Sequence, residues 1–470
     1  MKPFTRATHM RANRSKVPGA AFALLMLMAS ILANALYAQN AGQPTPAATA
    51  IVGAKVYTLA GPPLEGATVL LRDGKIVAVG AEVQVPANAQ VIDAKGLEVY
   101  PGFFDPVTQI GLEEIASIRG TVDVSDLGDF RPELQAATAV NPASAHIAIT
   151  RAAGITEVLA VPGTGGFFTG GGGNILGGQA VAMNLSGWTM ADMQIERSAA
   201  MTLIWPSIET KSSDPVTFQP KEKPFKDAQE EYQKKVDALS DYLDQARHYA
   251  EAKKNGSPAN YARDLALEAM IPVVEGRLPV LLVANDKRDI RSGVNFCVAH
   301  HLKVILAGGA EAWKEKDLLQ MDGIPVILGP TLSVPPQEDD PYDKPMTQPS
   351  ELVAAGIPIA FASFDTAFSR RLAQQAGTAV GYGLSHDEAL RAVTSNAAKM
   401  LGLDGQFGTI EVGKLGNLIV TNGDPLEIRT QVKYLFIKGR LTSMDNRQQQ
   451  LYEEYSHRPT AATPATVQTQ

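Results

Sequence analysis

The sequence predicts an α/β protein: a (β/α)8 TIM-type barrel with a small composite β-sandwich formed by both chain ends. Three observations support this class. Apolar, β-branched runs recur through the middle of the chain, helical stretches separate several of them, and short strands with turn signals lie at both ends. Continuous apolar strands that alternate with helices imply a parallel sheet buried on both faces. This many units in about 300 residues favour a closed barrel, and an open doubly wound sheet is the alternative.

The first residues have the layout of a secretory signal peptide. A basic leader precedes an apolar run, Ala20–Leu36, and Ala38 offers a small residue for cleavage. We therefore predict a signal peptide over residues 1–38, with export to the periplasm. Ala33–Ala35 offers a second cleavage point, and a retained membrane anchor is the alternative. One cysteine, Cys297, leaves no internal disulfide for an exported chain, so its stability must come from core burial.

The remaining chain divides by its pattern into five segments. Residues 39–50 are rich in Ala, Pro and Thr and predict a linker. Residues 51–100 contain short strands, and Asp-Gly within Arg72–Lys75 is a strong hairpin signal. The barrel is predicted over residues 101–404, and β character returns in residues 405–443, which we expect to rejoin the first β segment. The tail, residues 444–470, lacks apolar periodicity and predicts part helix and part disorder.

Composition is typical of a large globular protein. Apolar residues make up 45% of the chain and charged residues 19%, and the formal net charge is -7. Nucleic acid is excluded as an expected partner, because the chain is mildly acidic and no segment is both basic and rich in aromatic residues.

Three motifs, in order and correctly spaced, resemble the amidohydrolase superfamily, in particular its exported, imidazolonepropionase-related branch. They are "DGKIVAVG" with "VIDAKGLEVYPGFFD", then "HDEALRAVTSNAAKMLGL", then "GTIEVGKLGNLIVTNGDPLEIRTQVKYLFIKGR". The resemblance spans about residues 50–443. It implies a barrel with a composite β-sandwich, and hydrolysis of C–N bonds in amides, cyclic amides or peptides by water bound to zinc or another divalent metal.

The metal-ligand pattern of that family is altered in the first barrel strand. After Pro-Gly, two apolar residues and Asp, the family has x-His-x-His, which places two imidazoles on one face of the strand. Here the chain continues from Asp105 as Pro-Val-Thr-Gln. Val107 cannot bind a metal, and Gln109 offers only a carbonyl oxygen, a poor ligand for zinc.

Two later strands also lack the histidine that the resemblance leads us to expect. Val283 follows the run "LPVLL", and Gly308 ends the run "LKVILAG". No cofactor is therefore predicted, although zinc or another divalent metal is typical of the family. The remaining histidines offer no replacement. A zinc site from Cys297 and His301 would have only two ligands, and His300 points about 100° away from its neighbour on a helix.

Asp365 is the one candidate catalytic residue. It lies at the end of the predicted eighth strand, where the family has an Asp, but about one residue later than the usual spacing. A slip of one residue turns a strand side chain to the other face. The glycine-rich stretch Val161–Gln179 is a second feature of interest. It predicts a loop over the barrel mouth, where Phe167 and Phe168 can cap a ligand or partner, or else a plain surface loop.

Three hypotheses follow from these observations. The first is an exported superfamily member that has lost its metal centre and binds a ligand or a partner with the old pocket. The second is a divergent, metal-independent or weakly metal-dependent amide hydrolase that uses Asp365 with another carboxylate, such as Glu311 or Asp286. The third is a subunit that docks onto an active relative. The expected partners are a small-molecule ligand, a second copy of this chain or a related amidohydrolase.

Overall fold

The computed structural model describes residues 48–163, 174–213, 219–256 and 263–458. The predicted signal peptide (residues 1–38), most of the linker, Phe167 with Phe168, and the end of the tail lie outside the described residues.

Eight strands form a nearly closed barrel sheet in the middle of the chain, which confirms the predicted barrel. The eight strands pair in chain order, so the first strand and the eighth strand lie at the two edges of the sheet. These strands are β6 (Phe103–Thr108), β7 (Ile155–Ala160), β8 (Leu176–Asn184), β9 (Gln194–Ile204), β12 (Val280–Ala284), β13 (Val304–Gly308), β14 (Val326–Leu328) and β15 (Ile359–Phe361).

The third strand of the barrel departs from the regular pattern, because β8 is antiparallel to both of its neighbours. The other pairs, from β6 with β7 to β14 with β15, are parallel. The link from β8 to β9 spans only residues 185–193. A parallel connection needs a crossover of a dozen or more residues, so this short link permits only an antiparallel turn.

Hydrogen bonds just beyond β15 join the eighth strand to the first. The backbone N–H of Phe364 donates to the carbonyl oxygen of Val107 at 2.9 Å. The N–H of Ser363 donates to Asp105 Oδ1 at 3.0 Å, and Thr108 Oγ1 donates to the carbonyl oxygen of Asp365 at 2.9 Å. These bonds close the barrel at its carboxyl end.

Helices lie between the barrel strands and beyond them. In the described ranges they are α1 (Ala136–Ala139), α2 (Ala145–Ala152), α3 (Met190–Met193), α4 (Phe225–Lys254), α5 (Leu265–Val274), α6 (Lys287–Ala299), α7 (Lys316–Met321), α8 (Lys344–Ala354), α9 (Leu372–Gly381), α10 (His386–Ala392), α11 (Ser395–Met400) and α12 (Arg447–Ser456), with 3-10 turns at Arg119–Thr121, Ala312–Glu315 and Ser369–Arg371. No helix in these ranges combines the length and apolar character that crossing a bilayer requires.

A second sheet is built from both ends of the described chain, as the sequence predicted. Its order is β18-β17-β16-β5-β1-β2-β3, and β4 pairs with β1. These strands are β1 (Thr49–Val56), β2 (Leu64–Arg72), β3 (Lys75–Gly80), β4 (Gln90–Asp93), β5 (Glu98–Pro101), β16 (Leu418–Thr421), β17 (Val432–Ile437) and β18 (Arg440–Leu441), while β10 (Lys211–Ser213) and β11 (Pro220–Glu222) form a separate two-stranded ribbon.

The predicted hairpin is present between β2 and β3. Arg72 pairs with Lys75, and both Asp73 and Gly74 have positive φ values, 52° and 82°. Positive φ at both central residues is the requirement of a type I′ turn, which Asp-Gly satisfies at low steric cost.

The barrel strands bury two apolar faces. Alternate residues on β7 show the division: Val158 and Ala160 belong to the outer cluster under the helices, and Leu159 belongs to an inner cluster. The residues of the inner cluster on the barrel strands or directly after them are Phe104, Val107, Leu159, Val161, Ala180, Ala182, Ala199, Ala200, Leu281, Ile305, Ala307, Ile327, Ala360 and Ala362. The barrel centre is therefore a packed core rather than a pore.

A buried polar network lies at the opposite end of the barrel, where it meets the second sheet. Glu157 Oε1 accepts a hydrogen bond from Asn417 Nδ2 at 2.6 Å, and the same amide nitrogen donates to Asn184 Oδ1 at 2.7 Å. Asn417 Oδ1 accepts from the backbone N–H of Lys438 at 2.7 Å. Burial raises the pKa of the Glu157 carboxyl to about 8, although hydrogen bonds from Thr156 and Asn417 lower it.

Candidate functional site

The mouth of the barrel, at the carboxyl ends of its strands, is where barrel enzymes of this architecture keep their active sites. In the first strand, Val107 lies where the family resemblance expects an imidazole, and its side chain is fully buried in the inner apolar cluster. Gln109, at the second expected position, is also buried. A valine packed among apolar atoms offers no lone pair to a metal, so this strand does not fit a zinc ligand pair.

The two later positions have the same character. Val283 packs against the inner cluster at the end of β12. Gly308 ends β13 with a φ of +94°, and a Cβ placed there would stand 2.5 Å from Asn285 Oδ1. That backbone conformation disfavours any side chain, and the space is already occupied by the Asn285 amide. A histidine at 308 therefore needs a rearrangement of both the strand end and the next loop.

Asp365, the candidate catalytic residue, lies in the segment after β15, and its carboxylate makes a local contact. Asp365 Oδ1 accepts a hydrogen bond from the backbone N–H of Phe368 at 2.7 Å. The side chain that packs against the inner cluster is that of the preceding residue, Phe364. Phe364 has a φ of +52°, the left-handed region that aromatic residues rarely adopt. Local strain of this kind persists only where the surrounding structure enforces it.

Asp105 and Glu113 bring two further carboxyl groups near Asp365. Asp105 is fully buried in the seam between the first and eighth strands, and burial raises the pKa of its carboxyl to about 7, offset in part by hydrogen bonds from Ser363 and Val107. Burial and the charge of Asp365 also raise the pKa of Glu113, while the charge of His146 lowers it. Glu113 was not among the candidate residues predicted from the sequence; its signal is its place in the loop directly after the first barrel strand.

Glu311, a candidate partner for Asp365, is occupied elsewhere on the mouth. Glu311 Oε2 accepts from the backbone N–H of Lys287 at 2.6 Å, and Oε1 pairs with Lys314 Nζ at 2.7 Å. Lys314 Nζ also pairs with Asp340 Oδ1 at 2.7 Å. Asp286 is the residue before α6, and its side chain does not cap that helix. Within the described chain, neither Glu311 nor Asp286 forms a hydrogen bond with Asp365.

The histidines and Cys297 are dispersed. His386 Nε2 bonds to Asp424 Oδ2 at 2.7 Å, His146 Nε2 bonds to the carbonyl oxygen of Glu114 at 3.0 Å, and Arg247 donates to the carbonyl oxygen of His300 at 2.8 Å. Cys297 is buried in the outer core, where burial raises the pKa of its thiol to about 12. Within the described part of the chain, no group of three or more His, Cys, Asp or Glu side chains has a geometry that could hold a metal ion. The residues at the expected ligand positions therefore do not fit a catalytic zinc ion.

Sequence comparisons agree with the resemblance over parts of the chain. A family model described as the amidohydrolase family matches residues 354–442. The chain is similar to amidohydrolase tasK of Hapsidospora irregularis, with 22% identity over 407 residues that cover 79% of this chain and 39% of that relative. It is also similar to an imidazolonepropionase of Sphingopyxis alaskensis, with 54% identity over 48 residues, 10% of this chain and 12% of that relative. The chain thus spans well under half the length of the curated relatives it matches.

Solved structures share the fold over nearly all of the described chain. An amidohydrolase from Thermotoga maritima superimposes with a TM-score of 0.72 at 24% identity, covering 84% of this chain and 99% of that chain. A molinate hydrolase superimposes with a TM-score of 0.51 at 16% identity, covering 91% of this chain and 100% of that chain.

Proposed function

Because this chain belongs to the amidohydrolase superfamily, we propose that it is an exported member that has lost the metal centre and acts by binding a ligand or a partner subunit. The superfamily reaction depends on a metal ion that lowers the pKa of a bound water to about 7 and so supplies hydroxide at neutral pH. A chain without ligands for that ion needs another source of nucleophile.

The observation that carries the proposal is the packing of the barrel interior at its mouth. Val107 and Val283 contribute to a continuous apolar cluster at two positions where imidazoles are expected, and Gly308 has its side-chain space filled by Asn285. Catalytic zinc sites use three protein ligands, usually nitrogen or carboxylate oxygen. Valine methyl groups at such positions exclude water and metal alike, which favours a binding role over hydrolysis.

Metal content and hydrolysis together test this proposal. The wild-type protein, purified from its native host without chelator, is analysed for transition metals and screened with amides and dipeptides. We expect a metal content well below one ion per chain. We also expect no hydrolysis above the rate in buffer without protein. One or more ions bound per chain at the mouth would overturn the loss of the metal centre. Turnover in a metal-free sample would instead support a divergent hydrolase that uses Asp365.

The partner role and the export are tested separately. Pull-down of the tagged chain from its native host distinguishes a related amidohydrolase with an intact histidine motif from a second copy of this chain, and a ligand-binding role predicts neither. For export, we expect the mature protein in the periplasmic fraction with its amino terminus near residue 39. Full-length protein retained in the cytoplasm would contradict the proposed signal peptide.

A further inference from the structure

A small cavity lies beside the barrel axis, over the carboxyl ends of β12, β13 and β14. Its volume is about 120 Å3. The residues that line it come from these strand ends, from the loop after β14 and from α8, and Val107 and Asp365 are not among them. Gly308, where the family resemblance expects a histidine, contributes to the lining, so the cavity borders one of the expected metal-ligand positions and excludes the others.

In the part of the chain that the structure describes, the amide of Gln348, which lines the cavity, forms a hydrogen bond through its oxygen only. Gln348, on α8, is 4% exposed, and its Oε1 accepts a hydrogen bond from the backbone N–H of Trp313 at 3.0 Å. This bond fixes the orientation of the amide, so Nε2 points away from Trp313. Nε2 has no hydrogen-bond partner among the described residues, although Gln348 lines the cavity. Because Nε2 is accessible from the cavity, a ligand that accepts a hydrogen bond there can pair with it in place of water.

A second amide, that of Asn285, also lines the cavity. The Asn285 side chain lies next to Gly308 and makes no hydrogen bond within the described part of the chain. The rest of the wall is apolar or hydroxylic and consists of Leu328, Pro330, Ser333, Val334, Pro336 and Pro345 with backbone from Gly308, Ala310 and Gly329. None of these lining side chains carries a charge, so the cavity wall offers no counter-ion to a charged ligand.

We propose that this cavity binds a small uncharged molecule through a carbonyl oxygen that accepts from Gln348 Nε2, with its apolar part against the proline and valine wall. The volume equals that of about four liquid waters, which corresponds to a ligand of about five non-hydrogen atoms or to the end of a longer one. The Asn285 amide can accept from an N–H of the same molecule or donate to a second oxygen. This inference gives a ligand class to the binding role proposed above and rests on it.

Three probes of equal size test the ligand class. N-methylacetamide is neutral, propanoate is an anion and butylammonium is a cation, and each has five non-hydrogen atoms. Saturation-transfer NMR titrations of the full chain measure their binding. We expect N-methylacetamide to bind in the millimolar range, as is usual for so small a ligand, and the two ions to bind at least tenfold more weakly. Equal or tighter binding of either ion would overturn the proposal.

Two variants place the binding in the cavity. Gln348→Leu removes the donor and is expected to weaken N-methylacetamide binding about five- to tenfold. Gly329→Val adds a side chain at the cavity wall, where a Cβ would meet only Phe364 Cδ2, at 4.0 Å, and it is expected to abolish binding. Gln375→Leu is the matched control, a buried glutamine outside the cavity, and should bind as wild type does.

The outcomes separate this inference from the proposed function. If Gln348→Leu fails to fold, Gly329→Val still decides the site, and unchanged binding in Gly329→Val would contradict it. The titrations are repeated after chelator treatment and with added zinc. If the protein holds a stoichiometric metal and still binds N-methylacetamide, the loss of the metal centre is contradicted and the cavity assignment is not. Metal-free protein that does not bind N-methylacetamide would contradict the cavity assignment alone.

Discussion

The two ends of the barrel interior bury different side chains. At the base, where the barrel meets the second sheet, Glu157, Asn184 and Asn417 share hydrogen bonds with distances of 2.6 and 2.7 Å. At the mouth, the positions that the family resemblance assigns to metal ligands carry Val107 and Val283, which belong to the apolar interior. In barrels of this type, polar residues at the mouth usually serve catalysis, and those at the base serve stability.

This contrast separates the buried polar groups that support the fold from the residues at the expected metal-ligand positions. Hydrogen bonds from Asn417 to Glu157 and Asn184 join the barrel to the β layer, so they support the fold. At the mouth, Phe364 takes a left-handed backbone conformation and packs against the inner cluster. The mouth thus combines this apolar packing with the buried carboxyl group of Asp105. The predictions below test this contrast, starting with the largest expected effect.

The strongest test removes the centre of the basal network. Asn417→Leu leaves Glu157, Asn184 and the N–H of Lys438 without their bonds, so we expect the free energy of unfolding to fall by about 3 kcal/mol. Urea denaturation measures this loss. Asn422→Ala is the control, since Asn422 is an exposed asparagine of the same β layer, and should cost at most about 1 kcal/mol. Equal, small losses in both variants would remove the energetic contrast between base and surface.

The pH dependence of stability tests the protonation of the base. Folding favours the neutral Glu157 carboxyl, so its contribution is complete below pH about 4.5 and is lost as the pH rises toward about 8. Asp105 has the same sign, between its ordinary value and about 7. We expect the free energy of unfolding of the wild type to fall as the pH rises across this window. Glu157→Gln, which mimics the neutral acid, should flatten the upper part of the curve, and an unchanged slope would contradict the assignment.

Restoring the first histidine pair tests the mouth. In Val107→His with Gln109→His, a polar ring enters a fully buried apolar site, which should cost about 2 kcal/mol. We expect no stoichiometric zinc by calorimetric titration, because positions 283 and 308 still supply no ligand. The control pair, Val107→Asn with Gln109→Asn, adds polarity without imidazole. Tight zinc binding in the histidine pair alone would show that the mouth can still hold a metal.

Replacing Phe364 separates its packing from its backbone strain. Phe364→Ala removes a partly buried ring and should cost about 2 kcal/mol. Phe364→Gly removes the same ring but relieves the positive φ, so it should be about 1 kcal/mol more stable than the alanine variant. Thermal unfolding of both variants measures the difference. An alanine variant as stable as the glycine variant would mean that the left-handed conformation carries no strain.

The smallest expected effect is at Asp365. Its carboxylate accepts the N–H of Phe368 as a local cap, so Asp365→Ala should cost about 1 kcal/mol and Asp365→Asn less than about 0.5 kcal/mol. Thermal unfolding measures both values. An amide-hydrolysis rate in the wild type that falls a hundredfold or more in Asp365→Asn would instead support the divergent hydrolase.

Much of the architecture was predictable, because its signals are local. The recurring apolar runs correspond to barrel strands, the Asp73–Gly74 turn forms its hairpin, and the two β segments at the chain ends join one sheet. The superfamily resemblance is also confirmed, since it rests on short motifs that a chain can carry at low overall identity. The antiparallel β8 was not predicted: it begins at Leu176, inside the glycine-rich stretch for which the sequence predicted a loop. Its direction depends on the length of the connection after it.

At the candidate site, the sequence identified the missing histidines but not what replaces them. Phe364 precedes Asp365 by one residue, and only the closure of the eighth strand onto the first decides which of the two packs inward. Gln348 and Asn285 gave no signal, because they are 63 residues apart and carry common polar side chains. They line one cavity only after α8 packs beside the ends of β12 and β13.

By itself, the sequence determined the fold class, the pairing of the chain ends and the absence of imidazole at residues 107, 109, 283 and 308, since periodicity, turn chemistry and residue type are properties of the local chain. Tertiary structure alone decided the direction of β8, the burial of Glu157 beside Asn417 and the position of the Gln348 amide in the cavity wall. Each of these depends on contacts between residues far apart in the chain, and such contacts exist only once the barrel has closed.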